Sequence, residues 1–246
     1  MDNLESKIDE LLIYNIIDKL NQVEDFDKLS KKESDYIENI MISDEGNRLF
    51  FNGLKYYYKK NINYAIELYE KAVNLDNSYA INNLARCYER GEGVKKDITK
   101  AIELYEKAII LDNSNAIYNL ASCYKKGEGV KKDITKAIEL YTRAVNLGHS
   151  NAMNNLSLFY EIGEGVEKNI PKAIELLEKA IELNNNDKIF HENLQCIIRE
   201  YPQEYIVYCQ LKYNKIKAKY QILKKEYKEI RDNLINYAPN TTEVKK

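Results

Sequence analysis

Two histidines and four cysteines are the side chains of this chain best suited to metal binding or nucleophilic chemistry. His191 has Asp187 four residues before it, but no further His, Cys or acidic residue follows at a spacing that would complete a metal site. His149 occupies a place that Asp112 and Ser114 flank one 36-residue step earlier, and it reads as a turn residue. Cys87 and Cys123 are separated by that same step, and Phe159 takes the next place in the series, so the position reads as an apolar slot. Units stacked at helix-packing distance, roughly 10 Å, are too far apart for a disulfide. All four cysteines therefore read as core thiols in a reducing compartment. The Gly-Glu-Gly triplets at 91–93, 127–129 and 163–165 raise the question of an anion cradle. The middle residue is always Glu, the triplet follows a helix rather than a strand, and no Gly-Lys-Ser/Thr is present. No H-E-x-x-H, C-x-x-C, G-x-S-x-G or dinucleotide fingerprint occurs. Converging groups with tuned pKa values are what catalysis needs. The expectation is a non-enzyme with no catalytic residue, no metal and no cofactor.

The elements that carry these residues are set by repetition. Residues 65–100 and 101–136 align without a gap and differ at seven of 36 positions. A looser copy fills 137–172, and a fourth begins at 173. A strict period of this length marks stacked supersecondary units, none of which can bury its apolar face alone. Within one unit, Ala80, Leu84, Cys87 and Tyr88 fall on one stripe of a helix that Asn77 or Ser78 can cap. Gly91 ends that helix, and Asp97 caps a second. There Ile98, Ala101, Ile102, Leu104, Tyr105, Ala108 and Leu111 give a broad apolar stripe. The unit is helix–loop–helix. Six of the nine glycines lie in the loops, which points to a backbone conformation that glycine reaches most easily.

The pattern Ala80, Leu84, Tyr88, Gly91, Gly93, Val94, Asp97, Lys100, Ala101, Tyr105 and Ala108 resembles the Sel-1-like repeat, a relative of the tetratricopeptide repeat. The resemblance covers about 79–186. Ala85, Ala121 and Ser157 stand where the family usually has Gly, as do Asp76 and Asp112 at the end of the second helix. The resemblance implies an all-α, right-handed α-α superhelix that serves as a scaffold for protein complexes. The organisation expected is an N-terminal helical cap at 1–43, a tetratricopeptide-like unit at 44–78 and Sel-1-like repeats at 79–114, 115–150 and 151–186. A degenerate helix at 187–201, a long C-terminal helix at 202–238 and a disordered tail at 239–246 complete it.

At the N-terminal end, Leu4, Ile8, Leu11, Leu12, Ile16 and Leu20 predict an amphipathic helix over 3–21. Ser30 and Glu33 form a capping box for a second helix near 31–42. A helix around 188–200 keeps Leu194, Cys196 and Ile198 as its apolar residues. The long helix carries Ile206, Cys209, Tyr213, Ile216, Tyr220, Leu223, Tyr227, Ile230, Leu234 and Tyr237 at 3-4 spacing, a coiled-coil pattern. In a parallel homodimer Lys212 would face Lys217 and Lys219 would face Lys224, which repel, and only Glu226 with Arg231 would attract. The favoured role is a cap on the last repeat, and the alternative is a self-assembling structural protein, a homo-oligomer organised by this helix.

Charge is polarised. Residues 1–45 carry a net −8 and residues 212–231 a net +6, within a chain of net −2. The two ends of the array thus differ in sign, which suits head-to-tail electrostatic association, or a basic C-terminal helix that recruits an acidic partner or nucleic acid. Nucleic acid is an unlikely partner, because basic and aromatic residues are interleaved only in the tail. No segment approaches the ~20 apolar residues of a membrane span. The acidic N-terminus does not resemble a signal peptide, so a cytoplasmic location without membrane contact is expected.

The first helix of each unit offers a binding face. Asn83, Asn119 and Asn155 recur in register, and a row of amides can hold a partner's backbone. Around them the residues vary: Tyr79, Asn115 and Asn151; Arg86, Ser122 and Leu158; Arg90, Lys126 and Ile162. The function expected is a scaffold that binds a protein or peptide on the concave surface formed by these helices. The other reading of the asparagines is that they bond to adjacent helices and stiffen the stack.

Overall fold

The computed structural model describes residues 16–17, 19–20 and 28–237, with side chains described as far as Arg231. Among the described residues every regular element is helical: α1 (Lys31–Ser43), α2 (Glu45–Tyr58), α3 (Ile62–Val73), α4 (Ser78–Arg90), α5 (Ile98–Ile110), α6 (Ser114–Lys126), α7 (Ile134–Asn146), α8 (Ser150–Ile162), α9 (Ile170–Leu183), α10 (Lys188–Glu200) and α11 (Pro202–Tyr237). α2–α3, α4–α5, α6–α7 and α8–α9 pair as hairpins, and each hairpin packs on the next, giving one α-solenoid. Much of the expected N-terminal helix over 3–21, and the expected tail at 239–246, lie outside the described residues. Ile16, Ile17 and Leu20 are buried against the first core cluster, beside Phe50 and Phe51.

Capping chemistry sets the helix boundaries. Asn77 and Asn113 accept the amide hydrogens of Ala80 and Ala116, opening α4 and α6. Asp97, Asp133 and Asn169 do the same for α5, α7 and α9. Ser30 and Glu33 form the reciprocal box at the start of α1. Gly91 and its two equivalents end α4, α6 and α8 in the left-handed conformation, with φ of 74°, 76° and 82°.

The second glycine of each loop makes the contact between units. A Cβ on Gly129 would lie 2.5 Å from Ile98 Cγ1 and 2.7 Å from Ile102 Cδ1, on the preceding second helix. Gly93 meets Ile62 and Ile66 in the same way, and Gly165 meets Ile134 and Ile138. Each loop is thereby seated on the neighbouring unit. The core within each unit is an alanine ladder around one tyrosine: Tyr69, Tyr105 and Tyr141 are fully buried, with Ala72, Ala108 and Ala144 one turn on.

Second helices are also tied end to end. Lys107 reaches back to Asp76 at 2.8 Å and Arg143 to Asp112 at 2.7 Å. Both aspartates have left-handed backbones, with φ of 53° and 52°. The third junction has Gly148 in that place, and Lys179 pairs instead with Glu175 in its own helix, at 2.6 Å.

Three expectations need correction. Cys196 and Cys209 are exposed, so only Cys87 and Cys123 are core thiols. Leu111 lies past the end of α5 and is exposed. In α10 the inward residues are Phe190 and Ile197, not Cys196 or Ile198. These two sit at i and i+7 on one line of the helix, and Cys196 is turned about 100° away from it.

α11 begins as a cap. Tyr205 and Tyr208 pack on Ile170, Ile174, Leu177 and Ile197. Tyr208 and Lys212 both donate to the Glu178 carboxylate, Lys212 at 2.6 Å. From Cys209 to Arg231 every side chain is exposed.

Candidate protein-interaction face

The first helices of the units, α2, α4, α6, α8 and α10, form one row along the solenoid. The expected amide series lies along it, with its donors turned toward neighbouring helices. Asn119 Nδ2 donates to Asn82 Oδ1 at 2.9 Å, from α6 to α4. Asn155 Nδ2 donates to the Tyr118 hydroxyl at 3.3 Å, from α8 to α6. Asn193 Nδ2 donates to Asn154 Oδ1 at 2.7 Å, from α10 to α8. Asn83 has Leu49 of α2 in the place of an acceptor, and its amide turns to the Tyr69 hydroxyl at 3.4 Å. Asn82 Nδ2 donates to Asn83 Oδ1 at 3.3 Å, so a relay runs from α6 through α4 to α3.

Sequence reasoning missed the acceptors Asn82, Tyr118 and Asn154, and the donor Asn193. A signal was present. The residue just before the recurring Asn always carries an oxygen acceptor, although its identity changes.

The other expected site residues divide by depth. Arg90 and Lys126 are exposed, each 3.6 Å from the loop carboxylate that follows it, Glu92 and Glu128. Tyr79, Arg86, Asn115, Ser122 and Asn151 are half-buried, with Tyr79 packed 5.6 Å from the Phe50 ring. Asn83 is buried, and Asn119 and Asn155 are half-buried. The surface is therefore a mosaic: cations and carboxylates alternate over an amide floor.

At its N-terminal end the row opens into a small cleft lined by Leu54, Tyr57, Tyr69, Asn83, Arg86, Cys87 and Glu92. Tyr57 donates to the Glu92 carboxylate. Burial, reinforced by that carboxylate, pushes the Tyr57 phenol up to about 12. Burial likewise raises the Cys87 thiol to about 11 and the Cys123 thiol to about 12, so both are protonated and poorly nucleophilic at neutral pH. The tyrosines under the row differ in satisfaction. Tyr105 donates to Glu89 at 2.9 Å. In the unit of Tyr141, Lys125 stands at the place of that carboxylate with its ammonium over the Phe159 ring at 5.4 Å, and the buried Tyr141 hydroxyl has no hydrogen-bond partner among the described residues.

His149 takes the capping place of Asn77 and Asn113. Its Nδ1 accepts the Ala152 amide hydrogen at 3.2 Å, and its ring stacks on Tyr118 at 4.6 Å. Burial lowers its pKa to about 3, so it is a neutral cap. Among the described residues no group of three or more His, Cys, Asp or Glu side chains could hold a metal ion, and no helix is long and apolar enough to cross a membrane.

Comparison with known proteins places this architecture. The Sel1 repeat model matches residues 46–77, 78–113, 114–149 and 150–185. Among solved structures, a Sel1 repeat protein from Oxalobacter formigenes is 26% identical with a TM-score of 0.52, covering 68% of this chain and 65% of that one. The protective antigen c5321 of uropathogenic Escherichia coli, which displays an SLR fold, is 23% identical with a TM-score of 0.55, covering 66% of this chain and 35% of its own. The chain thus spans just under two thirds of the first relative and about a third of the second. No curated protein matches. Sel1 repeats generally act as protein-interaction scaffolds. With four consecutive repeats across more than half its length, the chain belongs to the Sel1 repeat family.

Proposed function

We propose that this protein is a non-enzymatic adaptor that binds a segment of a protein partner along the concave surface of its first-helix row. The observation that carries the reading is the division of labour within that row. The recurring amides are engaged between helices, so the side chains left to meet a partner are the ones that differ from unit to unit. Arg86, Ser122 and Leu158 give one such line, and Arg90, Lys126 and Ile162 a second. The chemistry changes from cationic near α4 to apolar near α8, so a partner would read as a segment with acidic residues at one end and apolar residues at the other. Tyr79, Asn115 and Asn151 border the lines and add hydrogen-bonding groups. The amides supply a rigid floor instead of direct contacts, which favours binding by reducing the ordering cost.

The test is recovery of the cross-linked partner with the full chain, with the charge reversals Arg86→Glu and Lys126→Glu together, and with a truncation ending at Lys212. The reading expects the reversal to lose the partner with melting unchanged, and the truncation to retain it. Retention by the reversed chain with loss on truncation would reject it.

A further inference from the structure

Beyond Lys212, α11 leaves the array and runs on as a single helix with no neighbour among the described residues. Tyr213, Ile216, Tyr220, Leu223, Tyr227 and Ile230 line one side of it, each more than half exposed. Large apolar residues repeating at 3-4 spacing call for a cover. Three covers are conceivable: a membrane surface, a second copy, or a different helix.

The period argues against a membrane. A seven-residue repeat drifts about 20° per heptad on a straight helix. From Tyr213 to Ile230, about two and a half heptads, the seam therefore turns by roughly 50°, which a supercoiling helix follows more closely than a plane does. Charge argues against a second copy. The positions beside the seam include Lys212, Lys217, Lys219 and Lys224. Parallel pairing sets Lys212, already engaged by Glu178, against Lys217 and sets Lys219 against Lys224; only Glu226 against Arg231 attracts. Antiparallel pairing sets each flank against its own kind: Lys217, Lys224 and Arg231 meet one another on one side, and Lys212, Lys219 and Glu226 on the other, so repulsive pairs outnumber the one attraction that Glu226 offers.

The geometry points to an acidic amphipathic helix of another protein as the occupant, wound on the Tyr213–Ile230 seam with Glu or Asp beside it. The tyrosines at alternate layers ask for small residues opposite, since bulky pairs overfill a two-stranded seam. This site is separate from the first-helix row, so the chain would carry two docking surfaces, one along the array and one at its end.

The full-length chain is tested by fluorescence anisotropy with a labelled designed peptide of about four heptads, with Ala and Leu in its seam and Glu on both flanks. Its Lys-flanked twin, a short duplex DNA and phosphatidylserine vesicles serve as competing probes. The Glu-flanked peptide should bind and the Lys-flanked twin should not. The triple variant Lys217→Glu, Lys219→Glu, Lys224→Glu should reverse that preference by on the order of 100-fold. Array melting should not move, because these lysines touch no other helix. Three results overturn the proposal: preference for DNA or vesicles over the peptide, a sedimenting dimer that refuses the peptide, or an unchanged preference in the triple variant.

Discussion

Asn119 donates its side-chain amide to Asn82 across the boundary between two repeats, at 2.9 Å, and Asn82 in turn donates to Asn83 at 3.3 Å. A residue that recurs at 36-residue steps is here a fastener between neighbours. Replacing Asn83, Asn119 and Asn155 together by Ala should therefore lower stability by about 3 kcal/mol, roughly 1 kcal/mol for each lost bond. Thermal melting followed by circular dichroism checks this. An unchanged melting temperature would show that the amides do not fasten the stack.

Tyr105 and Tyr141 occupy the same place in successive units, but only Tyr105 has an acceptor for its hydroxyl. Tyr141→Phe removes an unsatisfied buried group and should be neutral or stabilising by about 1 kcal/mol. Tyr105→Phe strands the half-buried Glu89 and should destabilise by about 1–2 kcal/mol. Denaturant unfolding of the two variants side by side should show a loss for Tyr105→Phe and none for Tyr141→Phe.

The two glycines of one loop are not equivalent. Gly127→Ala meets the Lys132 Cβ at 3.2 Å and incurs mainly the left-handed backbone penalty, about 1 kcal/mol. Gly129→Ala carries the same penalty and also drives a methyl into Ile98 and Ile102, for a total of about 2–4 kcal/mol. Comparable losses in the two variants would contradict the seating of the loop on the neighbouring unit.

His149 has its folded-state pKa depressed to about 3 by burial, against 6.5 for the free side chain. A depressed value means that protonation favours the unfolded chain. The contribution of the neutral ring is therefore complete above pH 6.5 and is lost progressively as the pH falls toward 3. At pH 5 the loss should be about 2 kcal/mol. His149→Asn, which installs the cap used by the two preceding units, should flatten stability across this window in urea titrations at stepped pH.

Tyr205 and Tyr208 cover the apolar end of α9, whereas residues beyond Lys212 cover nothing described. A chain ending at residue 201 should lose about 2 kcal/mol and bind a hydrophobic dye, while one ending at Lys212 should melt like the full chain. Equal melting of the two truncations would remove the cap from the account.

Much of this was legible in residue order, and the reasons are local. Asn77, Asp97 and Gly91 announce helix ends through their own backbone and side-chain preferences, so they can be read without knowing what lies beside them. The buried slot at Cys87, Cys123 and Phe159 is visible because repetition samples one environment three times. The hand-off from Asn119 to Asn82 is less visible, because its acceptor changes identity from Asn to Tyr and back, and only the facing of two helices brings the pair together. The phase of α10 escaped for a related reason. Repetition ends at 185, and with it the means of deciding whether Cys196 or Ile197 turns inward. Tyr141 lacks an acceptor because one carboxylate became Lys125, a change that carries meaning only once the hydroxyl beneath it is located.

The acceptor before each recurring asparagine is Asn82, then Tyr118, then Asn154, and any of them can receive the next amide. The three joints from α4 to α10 are consequently interchangeable in this one hydrogen bond. Excising residues 114–149 would bring Asn155 against Asn82 with donor and acceptor still matched. Recombination between such closely similar stretches of coding sequence could therefore shorten or lengthen the molecule by whole modules, leaving its reach open to natural variation while each surviving joint stays intact.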